Sequence, residues 1–165
     1  MIVVLRSMTY DELTAQLNRN DKIVIWSCND CVKFSGGLGG REPLNDLANR
    51  LERDGFNIIH RELSGVACNL QLLRNRTKDL ATADHFKEMT TLIVIACDDA
   101  AAKLQHIFRK KKIISVGKSV GIGIYSQKEG MRVCCPIEDT GLKPSLDGIP
   151  LEKAAKKLGL HAGPF

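Results

Sequence analysis

Short apolar runs bounded by turn residues, helical periodicity between those runs, and a length that supplies one core predict an α/β fold for this chain. The expected architecture is an open, doubly wound, mostly parallel sheet of Rossmann or flavodoxin-like type, finished by a C-terminal β-hairpin and strap. With 165 residues, 44% of them hydrophobic and 26% charged, the chain has the makeup of a single globular domain. Residues 1–135 are expected to form an α/β, cysteine-containing domain, and residues 136–165 a tail with one short helix packed on the same domain.

Each element follows from a local signal. After the apolar opening Met1-Ile2-Val3-Val4-Leu5, Thr9-Tyr10-Asp11-Glu12 reads as a capped helix start, with Leu13 and Leu17 on one face and an end near Asn20. Ile23-Val24-Ile25-Trp26 is a buried strand, and Gly36 to Gly40 form the loop before a helix from Pro43 to Asp54, whose stripe is Leu44, Leu47, Ala48 and Leu51. Gly55 stops that helix. Asn57-Ile58-Ile59-His60 reads as the second strand and Asn69 to Arg76 as the next helix, with a polar loop after it. Leu92-Ile93-Val94-Ile95-Ala96 is the third strand, followed by a helix from Asp98, a capping residue type, to Phe108. Ile113-Ile114-Ser115-Val116 is the fourth. Gly121 to Ser126 and Met131 to Cys135, joined by Gln127-Lys128-Glu129-Gly130, read as a hairpin, and Leu151 to Leu158 as the tail helix.

Charge and hydropathy narrow the function. The net charge of +5 invites nucleic acid as a partner, but the one dense basic run, Arg109-Lys110-Lys111-Lys112, falls between a helix and a strand, where a solvated turn explains it. Aromatic residues are 5% of the chain and do not interleave with basic ones, so no base-stacking platform is expected and no nucleic acid is assigned. No apolar run approaches the roughly 18 residues that cross a bilayer, and the opening is too short for a signal-peptide core. A cytoplasmic protein without a membrane partner is therefore expected.

Six cysteines in such a protein are not by default a disulfide framework, because the cytosol keeps thiols reduced. Their placement carries the functional reading. Cys28 and Cys31 follow the first buried strand, Cys68 lies in the connection after the second, and Cys97 is the first residue beyond the third. Open parallel sheets bind ligands outside the carboxyl ends of their strands, so these four share the binding edge and are the expected metal ligands. If the hairpin begins antiparallel to the fourth strand, Cys134 and Cys135 return to the same edge and join as cofactor-binding residues. Thiolates select soft or borderline metals, leaving zinc or an iron–sulfur cluster; one C-x-x-C pair followed by widely spaced single cysteines favours the cluster. The four histidines, His60, His85, His106 and His161, read as structural or surface residues.

The order of these features resembles the small iron–sulfur subunit of two-component bacterial methylenetetrahydrofolate reductases, which also occurs as a fused C-terminal domain. The likeness covers about residues 1–135 and is strongest over Ile23-Val24-Ile25-Trp26-Ser27-Cys28-Asn29-Asp30-Cys31, with Gly36-Gly37, Cys68 and Ile95-Ala96-Cys97 in the same order. The resemblance implies that Cys28, Cys31 and Cys68 hold a 4Fe-4S cluster beside a flavin-bearing barrel. The family has a further cysteine four residues past the second, where this chain has Ser35, so Cys97 or one of Cys134 and Cys135 is expected to complete the set.

The function expected is an accessory iron–sulfur or metal-binding subunit of one-carbon metabolism. It would serve electron transfer or act as scaffold for a methylenetetrahydrofolate reductase-like flavin barrel or a methyl-transfer enzyme, and would be non-catalytic alone, since a barrel typically needs about 250 residues. Two alternatives stand beside it: a zinc-binding structural or interaction module, and a thiol-dependent redox enzyme using Cys28 or Cys31 as nucleophile.

Overall fold

A computed structural model describes residues 1–79 and 83–165 of the chain. The elements in order are β1 (Ile2–Arg6), α1 (Tyr10–Thr14), β2 (Lys22–Cys28), α2 (Cys31–Phe34), α3 (Arg41–Arg53), β3 (Asn57–Ser64), α4 (Leu70–Lys78), α5 (Ala83–Glu88), β4 (Thr91–Ile95), α6 (Asp98–Ile107), β5 (Lys112–Ser115), β6 (Gly117–Ser126), β7 (Gly130–Pro136), β8 (Ile149–Pro150) and α7 (Leu151–Leu158). They make a mixed α/β fold with two four-stranded sheets. One, ordered β3-β2-β4-β5, is parallel throughout; the other, ordered β1-β6-β7-β8, is antiparallel.

The parallel sheet is the centre of the larger core. Strands β2 and β4 are buried almost completely because they lie inside the sheet, which is why Ile23 to Trp26 and Leu92 to Ile95 read as unbroken apolar runs. Leu44, Leu47, Ala48 and Leu51 of α3 pack against them as the sequence predicts. The second core is smaller and joins Val3, Leu5, Val120, Met131 and Val133 to Leu151, Ala154 and Ala155 of α7. Strand β1 lies between the two cores: Val4 packs into the first, while Val3 and Leu5 pack into the second.

Several sequence expectations change at this point. Helix α1 has the predicted capping box, with the Thr9 hydroxyl accepting from the Glu12 N–H and the Glu12 carboxylate accepting from the Thr9 N–H, yet it ends at Thr14 rather than near Asn20. The chain there turns tightly, with Gln16 and Leu17 donating to Leu13 and Thr14, and the Asp21 carboxylate accepting from the Asn18 N–H. The expected polar loop after Arg76 contains α5, anchored by Phe86 stacked on Trp26; residues 80–82 of that loop lie outside the described residues. Asp98 does not cap α6. Cys97 occupies the cap position, and the Asp98 carboxylate instead accepts from the Ser119 N–H while the Asp98 N–H donates to the Ser119 hydroxyl.

The largest correction concerns the hairpin. Its strands β6 and β7 pair as expected, but β6 pairs with β1 and not with the fourth parallel strand. Gly117 makes the departure possible: a Cβ there would stand 2.1 Å from the Ala96 carbonyl oxygen and 2.9 Å from Val4 Cγ1. Without a side chain the backbone passes directly against the end of β4 and turns into the second sheet. The segment expected as a surface strap adds β8 to β7 and lays α7 on the smaller core. Among the described residues no helix is long and apolar enough to cross a membrane.

Candidate thiol centre

Strand order positions the site. From β2 the chain moves to β3 on one side, then crosses to β4 on the other, so the crevice between the carboxyl ends of β2 and β4 is where the connecting loops part. Cys28 is the last residue of β2 and Cys97 the cap residue of α6 just past β4, so the two flank that crevice. Cys68 reaches the same edge from the connection after β3, one residue before Asn69 caps α4 through the Gln71 and Leu72 N–H groups. All six cysteines are free thiols.

Electrostatics ties Cys28, Cys68 and Cys97 into one group. Burial pushes the Cys28 thiol above its ordinary pKa; N–H groups of Ala67 and Asp30 partly offset this, and the charges of Asp30 and Cys68 add to it. The Cys28 Sγ donates to the Gly65 carbonyl at 3.7 Å. Cys97 is likewise raised by burial, partly offset by the Ala100 N–H, with Cys68, Cys28 and Asp99 adding to the rise. Cys68 thus acts on both buried thiols, and Cys28 acts on Cys97 as well. The consequence is chemical: burial favours the neutral thiol over the thiolate at Cys28 and Cys97.

The other expected ligands lie differently. Cys31 opens the single-turn helix α2 and is half-buried; its carbonyl accepts from the Ser35 N–H and hydroxyl. Ser35, at the position where the resemblance has a cysteine, is fully buried, and its hydroxyl also accepts from the Val4 N–H at 3.1 Å. That side chain ties β1 to α2 rather than lining the crevice. Cys134 and Cys135 sit on β7 in the antiparallel sheet, so the expectation that the hairpin returns them to the parallel-sheet edge by pairing with the fourth strand does not hold. Among the described residues, no three His, Cys, Asp or Glu side chains stand in a group that could hold a metal ion. The three-thiol set has the donor chemistry of a soft metal or cluster, and its loops would have to draw together around one.

One participant escaped the sequence reading. Lys103 of α6 forms the i, i+4 pair with Asp99, which spacing alone reveals, but its ammonium also donates to the Cys68 carbonyl at 2.8 Å. It thereby fastens the Cys68 loop to the helix that begins at Cys97 and brings a positive charge to the thiols. Only the fold puts residues 68 and 103 side by side. A cleft of about 570 Å³ between α2, the hairpin and α7 is lined by Phe34, Tyr125, Met131 and Leu151 and contains none of the cysteines.

Fold and site together define an α/β protein with a buried thiol group at the carboxyl edge of its parallel sheet. No protein-family model matches the chain, and no curated protein and no solved structure matches it.

Proposed function

We propose that this chain is an accessory metal-binding subunit in which Cys28, Cys68 and Cys97 hold an iron–sulfur cluster, with Cys31 at the start of α2 as the nearest further thiolate donor by sequence. The observation that carries the reading is the convergence of three thiols from the ends of three adjacent parallel strands and the connections beyond them, close enough that Cys68 raises Cys28 and that Cys68 and Cys28 raise Cys97. Packing alone does not require three separate loops to bring sulfur to one crevice. The parallel order β3-β2-β4-β5, with its reversal at β2, supports a doubly wound sheet whose ligand crevice is the place where these thiols lie.

A bound cluster would supply one-electron transfer, and the chain's own residues would orient and shield it. The Lys103 ammonium, held by Asp99 and the Cys68 carbonyl, would offset thiolate charge, and the Ala67, Asp30 and Ala100 N–H groups would face sulfur. Together with the resemblance to the small subunit of methylenetetrahydrofolate reductases, this makes the chain a cytoplasmic electron-transfer or scaffold partner of a flavin-bearing barrel in one-carbon metabolism.

The test is anaerobic reconstitution with ferrous iron and sulfide, followed by iron, sulfide and zinc analysis and absorbance near 400 nm. Stoichiometric iron and sulfide that disappear in Cys68→Ser support the reading. Zinc bound in their place makes the centre a structural zinc module, and reduced protein that takes up neither overturns the metal reading.

A further inference from the structure

The antiparallel sheet carries a second group of thiols that the crevice does not use. In the pairing of β6 with β7, Ile124 lies opposite Arg132, Gly123 opposite Val133, and Ile122 opposite Cys135. One residue, Cys134, is left over: it is the extra residue of a β-bulge. Ordinary alternation puts Cys134 on the side of Arg132, and the bulge then returns Cys135 to that same side instead of sending it to the opposite one.

Exposure agrees with this assignment. Val133 and Met131 point into the smaller core, whereas Ile122 and Ile124 are 55% and 56% exposed, Cys135 is exposed and Cys134 half-buried. A Cβ on Gly148 would meet Arg132 Cβ at 2.8 Å and Cys134 Sγ at 3.2 Å, so the Cys134 sulfur and the Arg132 side chain share a neighbour. Two adjacent thiols therefore face outward together.

The surroundings hold that backbone in place. The Cys134 carbonyl accepts from the Ser145 N–H at 3.0 Å. Arg132 donates to the carbonyls of Asp147 and Gly148 at 2.7 and 2.9 Å, fixing the loop beside Cys134. Ser119, which meets Asp98 beside Cys97, precedes Ile122 by three residues, about 10 Å at strand rise, so the pair is a site apart from the crevice.

We propose that Cys134 and Cys135 form a solvent-facing vicinal dithiol that chelates thiophilic ions, trivalent arsenic and soft divalent metals being the chemical class. With phenylarsine oxide as probe, two As–S bonds form, the As=O bond breaks, and the two thiol protons leave with the oxygen as water. Arsenic stays trivalent and no oxidant is needed. Chelation by two thiols on one rigid strand exceeds single-thiol binding by about 10²–10⁴-fold through effective concentration.

The experiment titrates the reduced full chain with phenylarsine oxide under native mass spectrometry and then alkylates the complex with iodoacetamide. One tightly bound equivalent that protects Cys134 and Cys135 from alkylation is expected, with affinity falling about 10²–10⁴-fold in either Cys134→Ser or Cys135→Ser. Protection confined to Cys28, Cys68 or Cys97, or undiminished affinity in both serine variants, overturns the proposal. Because mapping is done on the unsubstituted chain, failure here is distinct from failure of the cluster reading, which this site does not require.

Discussion

Glu62 offers a quantitative test of how the edge of the parallel sheet is held. Its side chain is 1% exposed on β3 and accepts from Arg76 Nε at 2.6 Å, with His60 Nε2 at 3.0 Å from its other oxygen. Burial pushes the carboxyl up, but the hydrogen bonds and charges of His60 and Arg76 outweigh that and hold its pKa below the usual range. The perturbation is Glu62→Gln, which keeps the shape and removes the charge. Breaking a buried pair costs about 3–5 kcal/mol, and the 45% exposure of the Arg76 side chain lets water recover part of this, so about 2 kcal/mol is expected. At a urea m-value of about 2 kcal/mol/M, the midpoint of unfolding falls by about 1 M.

The pH dependence has a fixed sign. A carboxyl whose folded pKa lies below its unfolded value adds stability above the unfolded value, near 4.3, and loses it as pH falls through the folded one. The gap between the parent chain and Glu62→Gln, measured by urea unfolding at stepped pH, is therefore widest near neutrality and narrows on acidification. A variant within about 0.5 kcal/mol of the parent at pH 7, or a gap that grows in acid, would mean that the Glu62 charge does not hold this edge.

Three further outcomes follow from the geometry. Gly117→Ala places a methyl 2.1 Å from the Ala96 carbonyl, a backbone atom with no freedom to retreat, and should cost about 3 kcal/mol or more in urea unfolding, against near-neutrality if the two sheets were loosely joined. Ser35→Ala strands the buried Val4 N–H and should cost about 1–3 kcal/mol; an unchanged midpoint would mean that the Ser35 hydroxyl does not tie β1 to α2. In native protein at pH 7.5, Ellman's reagent should modify Cys135 first and leave Cys28 and Cys97 untouched until denaturant is added, since burial both shields these two and raises their pKa; equal rates for all three would contradict the site's electrostatics.

How far the sequence reveals this molecule depends on whether the deciding interaction is local. Helix α7 is legible to the residue because Pro150 precedes it and Gly159, at a φ of +64°, ends it. Strands β2 and β4 are legible because burial on both faces leaves uninterrupted apolar runs. Helix α5 escapes because six residues with one buried anchor, Phe86, give no period to detect. The pairing of β1 with β6 joins residues more than a hundred positions apart, and the cue for it, Gly117 pressed against Ala96, is indistinguishable in sequence from a turn glycine.

The candidate site divides along the same line. That Cys28, Cys68 and Cys97 share an edge follows from strand ends alone, which sequence locates well. The separation of Cys134 and Cys135 depends on which sheet claims the hairpin, and the link from Lys103 to the Cys68 carbonyl depends on how α6 packs beside the loop after β3. Neither leaves a trace in spacing.

Differential alkylation after anaerobic reconstitution with iron and sulfide asks whether the three thiols from three strand ends form one binding centre. A shared centre protects Cys28, Cys68 and Cys97 together beyond the shielding that burial already gives them, persisting in mild denaturant, while Cys135 stays reactive. Protection that falls on Cys134 and Cys135 alone, or reconstituted protein whose Cys28, Cys68 and Cys97 label in mild denaturant as fast as in the untreated chain, would contradict it.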